Sequence, residues 1–293
     1  MGDSAADERT AMLAEAGRRL MEASREGDAE RVRSVLRERG VDPNHPDYFW
    51  GTTSLQVACR SGHLAVAAEL LRAQGIDVNR PDSNGCTPLV TAALRGHAEV
   101  IRLLLHAPGI RCNVVDAIGY TPLGCACGMG HVEAARALLG FQGTDVNLAH
   151  WFGWSPLLVA SSGGHLAVVH LLLLHPELDI HQVDNDGRNA LHLASRNGHA
   201  DVVQALLDAG GDVRALDAQG RSPLDAACEK YHFGAQACAR RVRDRAGPLL
   251  RVLMHGGLPA HIALDLVMAD LDVDPHLATV ARLLRASWHV PAS

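Results

Sequence analysis

A Gly-His dipeptide recurs every 34 residues, and this period restricts the possible folds more than any other feature of the sequence. The dipeptide stands at 62–63, 96–97, 130–131, 164–165 and 198–199. A single leucine (55, 89, 123, 157, 191) and a leucine pair (70–71, 104–105, 138–139, 172–173, 206–207) keep the same step. Three residue classes with one period indicate stacked repeats, each of which buries its apolar face against its neighbours.

Each repeat has the same predicted layout of turn, helix and helix. A turn glycine such as Gly85 precedes Thr-Pro-Leu or a near variant, as at 87–89. Thr or Ser can cap a helix, and Pro suits the first turn because its missing N–H would have no partner there. A short helix of small residues ends at Gly-His, and a second, amphipathic helix follows with its leucine pair facing inward. An extended Asp-Val-Asn, as at 77–79, leads to the next turn.

This arrangement closely resembles the ankyrin repeat over about residues 17–230. The resemblance implies an all-α repeat solenoid, an ankyrin stack of helix-turn-helix units with β-turn or hairpin fingers, plus a C-terminal helical extension. We expect an amino-terminal tail or first helix at 1–16, a repeat domain at 17–257 and a helical pair at 258–293. The expected divisions of the repeat domain are a charged cap at 17–49, repeats near 50–82, 83–116, 117–150, 151–184 and 185–217, and a last repeat with an insertion at 218–257.

Composition and charge exclude several classes of function. A formal net charge of -6 gives no electrostatic reason to expect a nucleic-acid binder. The polar first ten residues lack the apolar core of a secretory signal, and the longest apolar runs are too short to span a bilayer. Seven irregularly spaced cysteines are typical of free thiols in a reducing compartment. We therefore expect a monomeric, cytoplasmic protein, with the nucleus as a further possible location.

The sequence offers no constellation that predicts catalysis, a cofactor or a metal. Five of the 17 histidines belong to the repeating Gly-His, and in a helical stack they would lie about 10 Å apart, too far to share an ion. Cys125 and Cys127 would point about 200° apart on a helix. We predict that these histidines bond at the turns between helices, that the cysteines are packing residues, and that the protein is not an enzyme.

The family resemblance implies that protein partners bind a concave surface of inner helices and finger tips. The variable positions before Gly-His include Arg60, Arg95, Met129 and Arg196. Because arginine recurs there, we expect a partner with an acidic segment. The alternative is a solvated face in an arginine-rich protein.

Aromatic residues at the finger tips are the most distinctive candidates, in a chain with only 4% aromatic content. Most tips carry small or polar residues. The candidate partner-binding residues at the other tips are Trp151 and Phe152 on one finger, Tyr48, Phe49 and Trp50 on another, and Ile118 on a third. Two further candidates, Tyr120 and Arg188, stand just after their turn glycines. Exposed aromatics tend to mark interfaces. In the alternative interpretation the rings fold back on neighbouring fingers.

The carboxyl-terminal segment and three asparagines suggest further roles. The outline Leu258, Pro259, Ile262, Leu266, Leu271, Leu277, Val280, Leu283 and Trp288 weakly resembles an F-box. The alternative function is therefore a substrate-recognition adaptor of a cullin-type ubiquitin ligase, with these helices as an F-box-like or SOCS-box-like module. A capping helix pair is the competing interpretation. The asparagine of Asp-Val-Asn can be hydroxylated in the family, and the matching positions are Asn79, Asn113 and Asn147.

Overall fold

The computed structural model describes residues 2–229 and, nearer the carboxyl terminus, residues 279, 282 and 283. The chain divides into two compact units, unit 1 (Met1–Trp151) and unit 2 (Phe152–Ser293). Helices and turns, without a strand, make up the described part of the chain. This confirms the predicted all-α repeat solenoid.

Unit 1 alternates inner and outer helices. The inner helices α1, α3, α5 and α7 contact one another in series, as do the outer helices α2, α4, α6 and α8. Their bounds are α1 Gly2–Glu26, α2 Ala29–Leu36, α3 Ser54–Ser61, α4 Leu64–Leu71, α5 Pro88–Arg95, α6 Ala98–Leu105, α7 Pro122–Gly128 and α8 Val132–Leu139.

Unit 2 repeats this alternation. Inner helix α11 contacts the inner helices on either side of it, α9 and α13, and the outer helices α10 and α12 contact each other. Their bounds are α9 Pro156–Gly163, α10 Leu166–Leu173, α11 Ala190–Asn197, α12 Ala200–Asp208 and α13 Pro223–Glu229. In the described part of the chain, no helix is long and apolar enough to cross a membrane.

The inner helices begin where the Thr-Pro pattern predicts. Thr87 has extended backbone and its hydroxyl accepts the N–H of Val90, while Pro88 occupies the first turn. Thr121 caps α7 in the same way through the N–H of Gly124 at 2.9 Å. Each threonine thus satisfies one of the N–H groups that the first helical turn leaves without an intrahelical partner.

The repeating leucines form the core, although the two members of each pair differ. Leu55, Leu89 and Leu123 are at most 1% exposed, as are their counterparts in unit 2. The first member of each pair, such as Leu70, is completely buried, whereas the second, such as Leu71, is partly exposed except in one repeat. The prediction that both leucines face inward is therefore right for the first member in every repeat and for the second member in one repeat.

The Gly-His dipeptide connects consecutive repeats. Gly62 ends α3 with a left-handed φ of 74°, a conformation that favours glycine. The His97 ring of the next repeat lies against Gly62, where a Cβ would be 2.7 Å from its Cε1 atom. His97 Nε2 is 3.1 Å from the carbonyl oxygen of Arg60. The same contact, between a histidine Nε2 and a carbonyl oxygen of the preceding repeat, is made by His63, His131 and His199. These histidines therefore have the structural role that the sequence predicts.

The predicted insertion in the last repeat lies outside the described residues. So do the predicted helical pair and its F-box-like positions, apart from three residues. Thr279 and Leu283 are fully buried, and Arg282 Nη1 lies 3.1 Å from the Asp201 carboxylate in the first turn of α12. These three positions therefore pack within unit 2.

Candidate functional site

Four of the fingers are short turns, each held by a single carboxylate. Asp82 Oδ1 accepts the N–H of Asn84 at 2.9 Å and that of Cys86 at 3.0 Å. Asp82 N–H donates to the carbonyl of Cys86, which closes the turn. The same pair of side-chain bonds is made by Asp116, Asp184 and Asp217. The backbone of these four tips is therefore held by bonds within the finger itself.

The first finger projects three aromatic side chains into solvent. Tyr48 is 95% exposed, Phe49 84% and Trp50 60%. The Tyr48 and Phe49 rings meet edge to face with centroids 5.6 Å apart. Farther along unit 1, the Ile118 side chain at another tip is 54% exposed. The structure thus places these sequence-predicted tip residues on the surface.

Trp151 combines an exposed face with a packed edge. Its side chain is 67% exposed, yet a Cβ at Gly119 would lie 2.9 Å from the indole Cδ1 atom. The ring therefore rests partly on the preceding finger, as the alternative interpretation of the tips predicts. Phe152, the first residue of unit 2, is 61% exposed, and its carbonyl accepts the N–H of Asn185.

Tyr120 lies at the base of its finger rather than at the tip. Its ring centroid is 4.4 Å from that of His150, which replaces the finger carboxylate found in the other repeats and is buried. Burial raises the pKa of Tyr120 and lowers the pKa of His150, and the Asp116 carboxylate partly offsets the shift of the histidine. Tyr120 is therefore a packing residue, although one edge of its ring is half exposed.

The carboxyl ends of the unit 1 inner helices form a row of exposed side chains, here called the inner-helix row: Arg25, Arg60, Arg95 and Met129. None of the three guanidinium groups makes an ion pair with a residue that the structure describes. Met129 is 56% exposed. Sequence reasoning missed Arg25, although the Arg-Glu-Gly of 25–27 parallels the Arg-Ser-Gly of 60–62.

In unit 2 the two candidate arginines have different surroundings. Arg188 Nη2 lies 2.8 Å from the Asp184 carboxylate and 2.7 Å from that of Asp186, and its side chain is only 18% exposed. Arg196 is exposed at the end of α11. The structure therefore places Arg188 within its own finger and Arg196 on the surface.

The candidate asparagines hold the loops of consecutive repeats together. Asn79 Nδ2 donates to the carbonyl of Gly109 at 2.8 Å, and its Oδ1 accepts the N–H of Arg111 at 2.9 Å. Asn113 makes the same pair of bonds with the loop that follows it. Hydroxylation would therefore act on residues whose amides already link two repeats.

The third candidate, Asn147, donates its backbone N–H to Asp145 Oδ1 of its own loop at 2.9 Å. Asn44 extends the pattern of Asn79 and Asn113, because its Nδ2 donates to the carbonyl of Gly75 at 2.8 Å and its Oδ1 accepts the N–H of Asp77 at 2.7 Å. Sequence reasoning missed Asn44 because it stands in the divergent first repeat, where Asp-Pro-Asn at 42–44 replaces Asp-Val-Asn.

Four thiols of unit 1 are poor nucleophiles. Burial raises the pKa of Cys86 to about 11 and raises the pKa of Cys59, Cys125 and Cys127 as well. In the part of the chain that the structure describes, no group of three or more His, Cys, Asp or Glu side chains could hold a metal ion. The arrangement offers fixed, exposed contact groups instead.

Comparison with known proteins identifies one family, and solved structures of similar fold are also found. The family described as ankyrin repeats matches three times, at residues 20–116, 109–184 and 172–245. The ankyrin repeat domain of Bcl-3, described as a unique member of the IkappaB protein family, is similar with 25% identity and a TM-score of 0.65. The similarity covers 71% of this chain and 92% of that one. No curated protein matches the chain at a significant level. Because the family matches run from residue 20 to residue 245, the chain belongs to the ankyrin repeat family.

Proposed function

We propose that this protein is a non-catalytic scaffold that binds an acidic segment of a partner protein along the inner-helix row of unit 1. Ankyrin repeats generally act as protein-interaction scaffolds. The fold supplies the scaffold, and the proposal concerns which side chains of this chain meet the partner.

The distribution of ion pairs in unit 1 is the observation that carries the proposal. On the outer helices, arginines are paired with glutamates: Arg33 and Arg72 with Glu69, Arg102 with Glu99 and Glu133, and Arg136 with Glu133. The three arginines of the inner-helix row have no such partner among the described residues. Guanidinium groups favour carboxylates in bidentate geometry, so an acidic segment is the ligand that this row would recognise.

Exposed apolar tips would add contact area to this charged row. Trp50 on the first finger and Ile118 on the third finger of unit 1 are 60% and 54% exposed. Trp151 of unit 1 offers further exposed ring surface. Aromatic and arginine side chains supply much of the binding energy at protein interfaces. We therefore expect the partner segment to carry apolar side chains among its acidic ones.

Affinity purification with the full chain tests this proposal. The Arg60→Glu and Arg95→Glu double variant should lose the partner proteins that mass spectrometry identifies with the wild type, because both contacts become repulsive. The matched control is Arg37→Glu with Arg111→Glu, which makes the same charge change at two exposed positions outside the row. Equal recovery of every partner by the double variant and by the wild type would disprove the proposal.

A further inference from the structure

Neighbouring fingers are joined by one backbone hydrogen bond. In unit 1, Ser83 N–H donates to the carbonyl of Trp50 and Ala117 N–H donates to that of Asn84, both at 2.8 Å. In unit 2 the corresponding pairs are Asn185 with Phe152 and Ala218 with Asp186. In every case the donor directly follows the first residue of its finger. Each of these four fingers thus offers one N–H to the finger before it.

The first finger has this donor but no finger before it. Its carboxylate residue, Asp47, is followed by Tyr48, and no carbonyl among the described residues accepts the Tyr48 N–H. Helix α1 runs uninterrupted from Gly2 to Glu26 where an earlier finger would stand. Tyr48 is 95% exposed. The series of finger bonds is therefore open at Tyr48, and we call this edge the first-finger edge.

An apolar cleft of about 610 Å³ lies beside the first-finger edge. Its walls include Ala14, Gly17 and Met21 of α1, His45 just before the finger, and Tyr48 and Phe49 of the finger. Asp47 also lines it, and Oδ1 of this carboxylate accepts the N–H groups of Trp50 and Thr52. The His45 ring packs so closely on Gly17 that a Cβ there would be 2.2 Å from the ring. A cleft of this size accommodates a large apolar side chain.

Two arginines of α1 lie between the cleft and the rest of the inner-helix row. Arg18 lines the cleft, its side chain is 73% exposed, and its ion pair with Glu15 is a solvent-exposed contact of little net stability. Arg25 follows two helical turns later, about 10 Å along the same helix. It makes no ion pair with a described residue, and the row then continues with Arg60. A bound segment that left the cleft in this direction would meet cationic groups.

We propose that the first-finger edge binds an extended segment of the partner protein. A backbone carbonyl of the segment accepts the Tyr48 N–H, a large apolar side chain fills the cleft, and acidic residues beside it reach Arg18 and Arg25. An extended polypeptide satisfies an open edge of this kind because it presents carbonyls at a regular spacing. The inference rests on the proposed function and places one end of the partner segment at the first-finger edge.

Random peptides displayed on phage, selected against the full chain, provide the test. We expect enrichment of peptides with one Trp, Phe or Leu next to two or more acidic residues. The variant Ala14→Phe fills the cleft and should weaken the selected peptides about tenfold or more, because a buried apolar anchor is lost. The matched control Ala65→Phe places the same side chain at an exposed position of outer helix α4 and should leave the affinity within about twofold.

Amide hydrogen exchange gives a second readout that needs no variant. Exchange of the Tyr48 amide should slow at least about tenfold when a selected peptide is bound. Failure to enrich such peptides, or an unchanged Tyr48 amide in the complex, would overturn the inference. Suppose that Ala14→Phe leaves the affinity of the peptides unchanged, whereas Arg60→Glu with Arg95→Glu abolishes their binding. This result would overturn the inference while leaving the proposed function intact. If the chain associates with itself and Ala14→Phe abolishes this association, the first-finger edge binds a second copy of the chain. That result would also overturn the inference.

Discussion

His192 connects the start of α11 to the next finger of unit 2. Its Nε2 lies 2.9 Å from the carbonyl oxygen of Arg221, and its Nδ1 lies 2.6 Å from Asn189 Oδ1 and 3.3 Å from the Asn189 backbone nitrogen. Burial lowers the pKa of this imidazole, so the folded chain keeps it neutral. The unfolded chain takes up a proton near the ordinary pKa of about 6.5. The stability from the neutral ring is therefore complete above that pH and is lost as the pH falls toward the folded pKa.

Replacement of His192 by glutamine should reduce this pH dependence. Unit 1 has Gln56 at the equivalent position, where its Nε2 donates to the carbonyl of Cys86 and its Oε1 accepts the Thr53 N–H. His192→Gln keeps both bonds and removes the titrating group. We expect the fall in thermal midpoint between about pH 8 and about pH 5.5 to be smaller in the variant. Part of the fall should remain, since burial also lowers the pKa of His150. An identical fall in both proteins would contradict this explanation.

Asn79→Ala should destabilise unit 1 because it removes two hydrogen bonds between consecutive repeats. The carbonyl and N–H that it leaves behind lose their partners, which costs about 1–3 kcal/mol in the free energy of unfolding. Urea denaturation followed by circular dichroism measures the loss. Asn84→Ala is the control, since this exposed tip side chain makes no such bond, and its effect should stay within about 0.5 kcal/mol. Equal effects of the two variants would show that the asparagine contacts are not stabilising.

At the scale of the element, the finger that contains Arg188 is stabilised from within. The guanidinium bridges Asp184, whose side chain is fully buried, and Asp186. Arg188→Ala should lower the free energy of unfolding by about 2 kcal/mol, the usual contribution of hydrogen bonds to charged groups, and leave partner affinity unchanged. Arg196→Ala, at an exposed site, is the comparison. A loss of partner affinity in Arg188→Ala without a loss of stability would instead make Arg188 a partner-binding residue.

The helices were predictable from sequence because their determinants are local. A Thr-Pro pair starts α5, a glycine with positive φ ends it, and Leu89 between them is buried. The pairing of charges was not predictable in this way. Arg33 bonds to Glu69 from 36 residues away, and nothing within one repeat specifies which glutamate an arginine will reach. The same limit applies to Trp151, whose contact with Gly119 depends on how two fingers pack.

At the scale of the whole molecule, the negative net charge conceals a local row of positively charged side chains. The chain carries a formal charge of -6, yet the inner-helix row of unit 1 presents arginines without ion pairs to described residues. Association with an acidic segment should therefore weaken as salt rises from about 0.05 M to about 0.5 M, since exposed charges are screened over a shorter distance. The Arg60→Glu and Arg95→Glu variant should have a flatter salt dependence. Titrations at several salt concentrations measure both slopes.

Isothermal titration calorimetry of the purified partner segment tests the central claim most directly. The full chain and its Arg60→Glu and Arg95→Glu variant are compared at low and high salt, with Arg37→Glu and Arg111→Glu as the control. We predict that the variant binds about tenfold more weakly at low salt, a loss of about 1.4 kcal/mol, that the difference shrinks at high salt, and that the control matches the wild type. Equal affinity of variant and wild type at both salt concentrations would contradict the account.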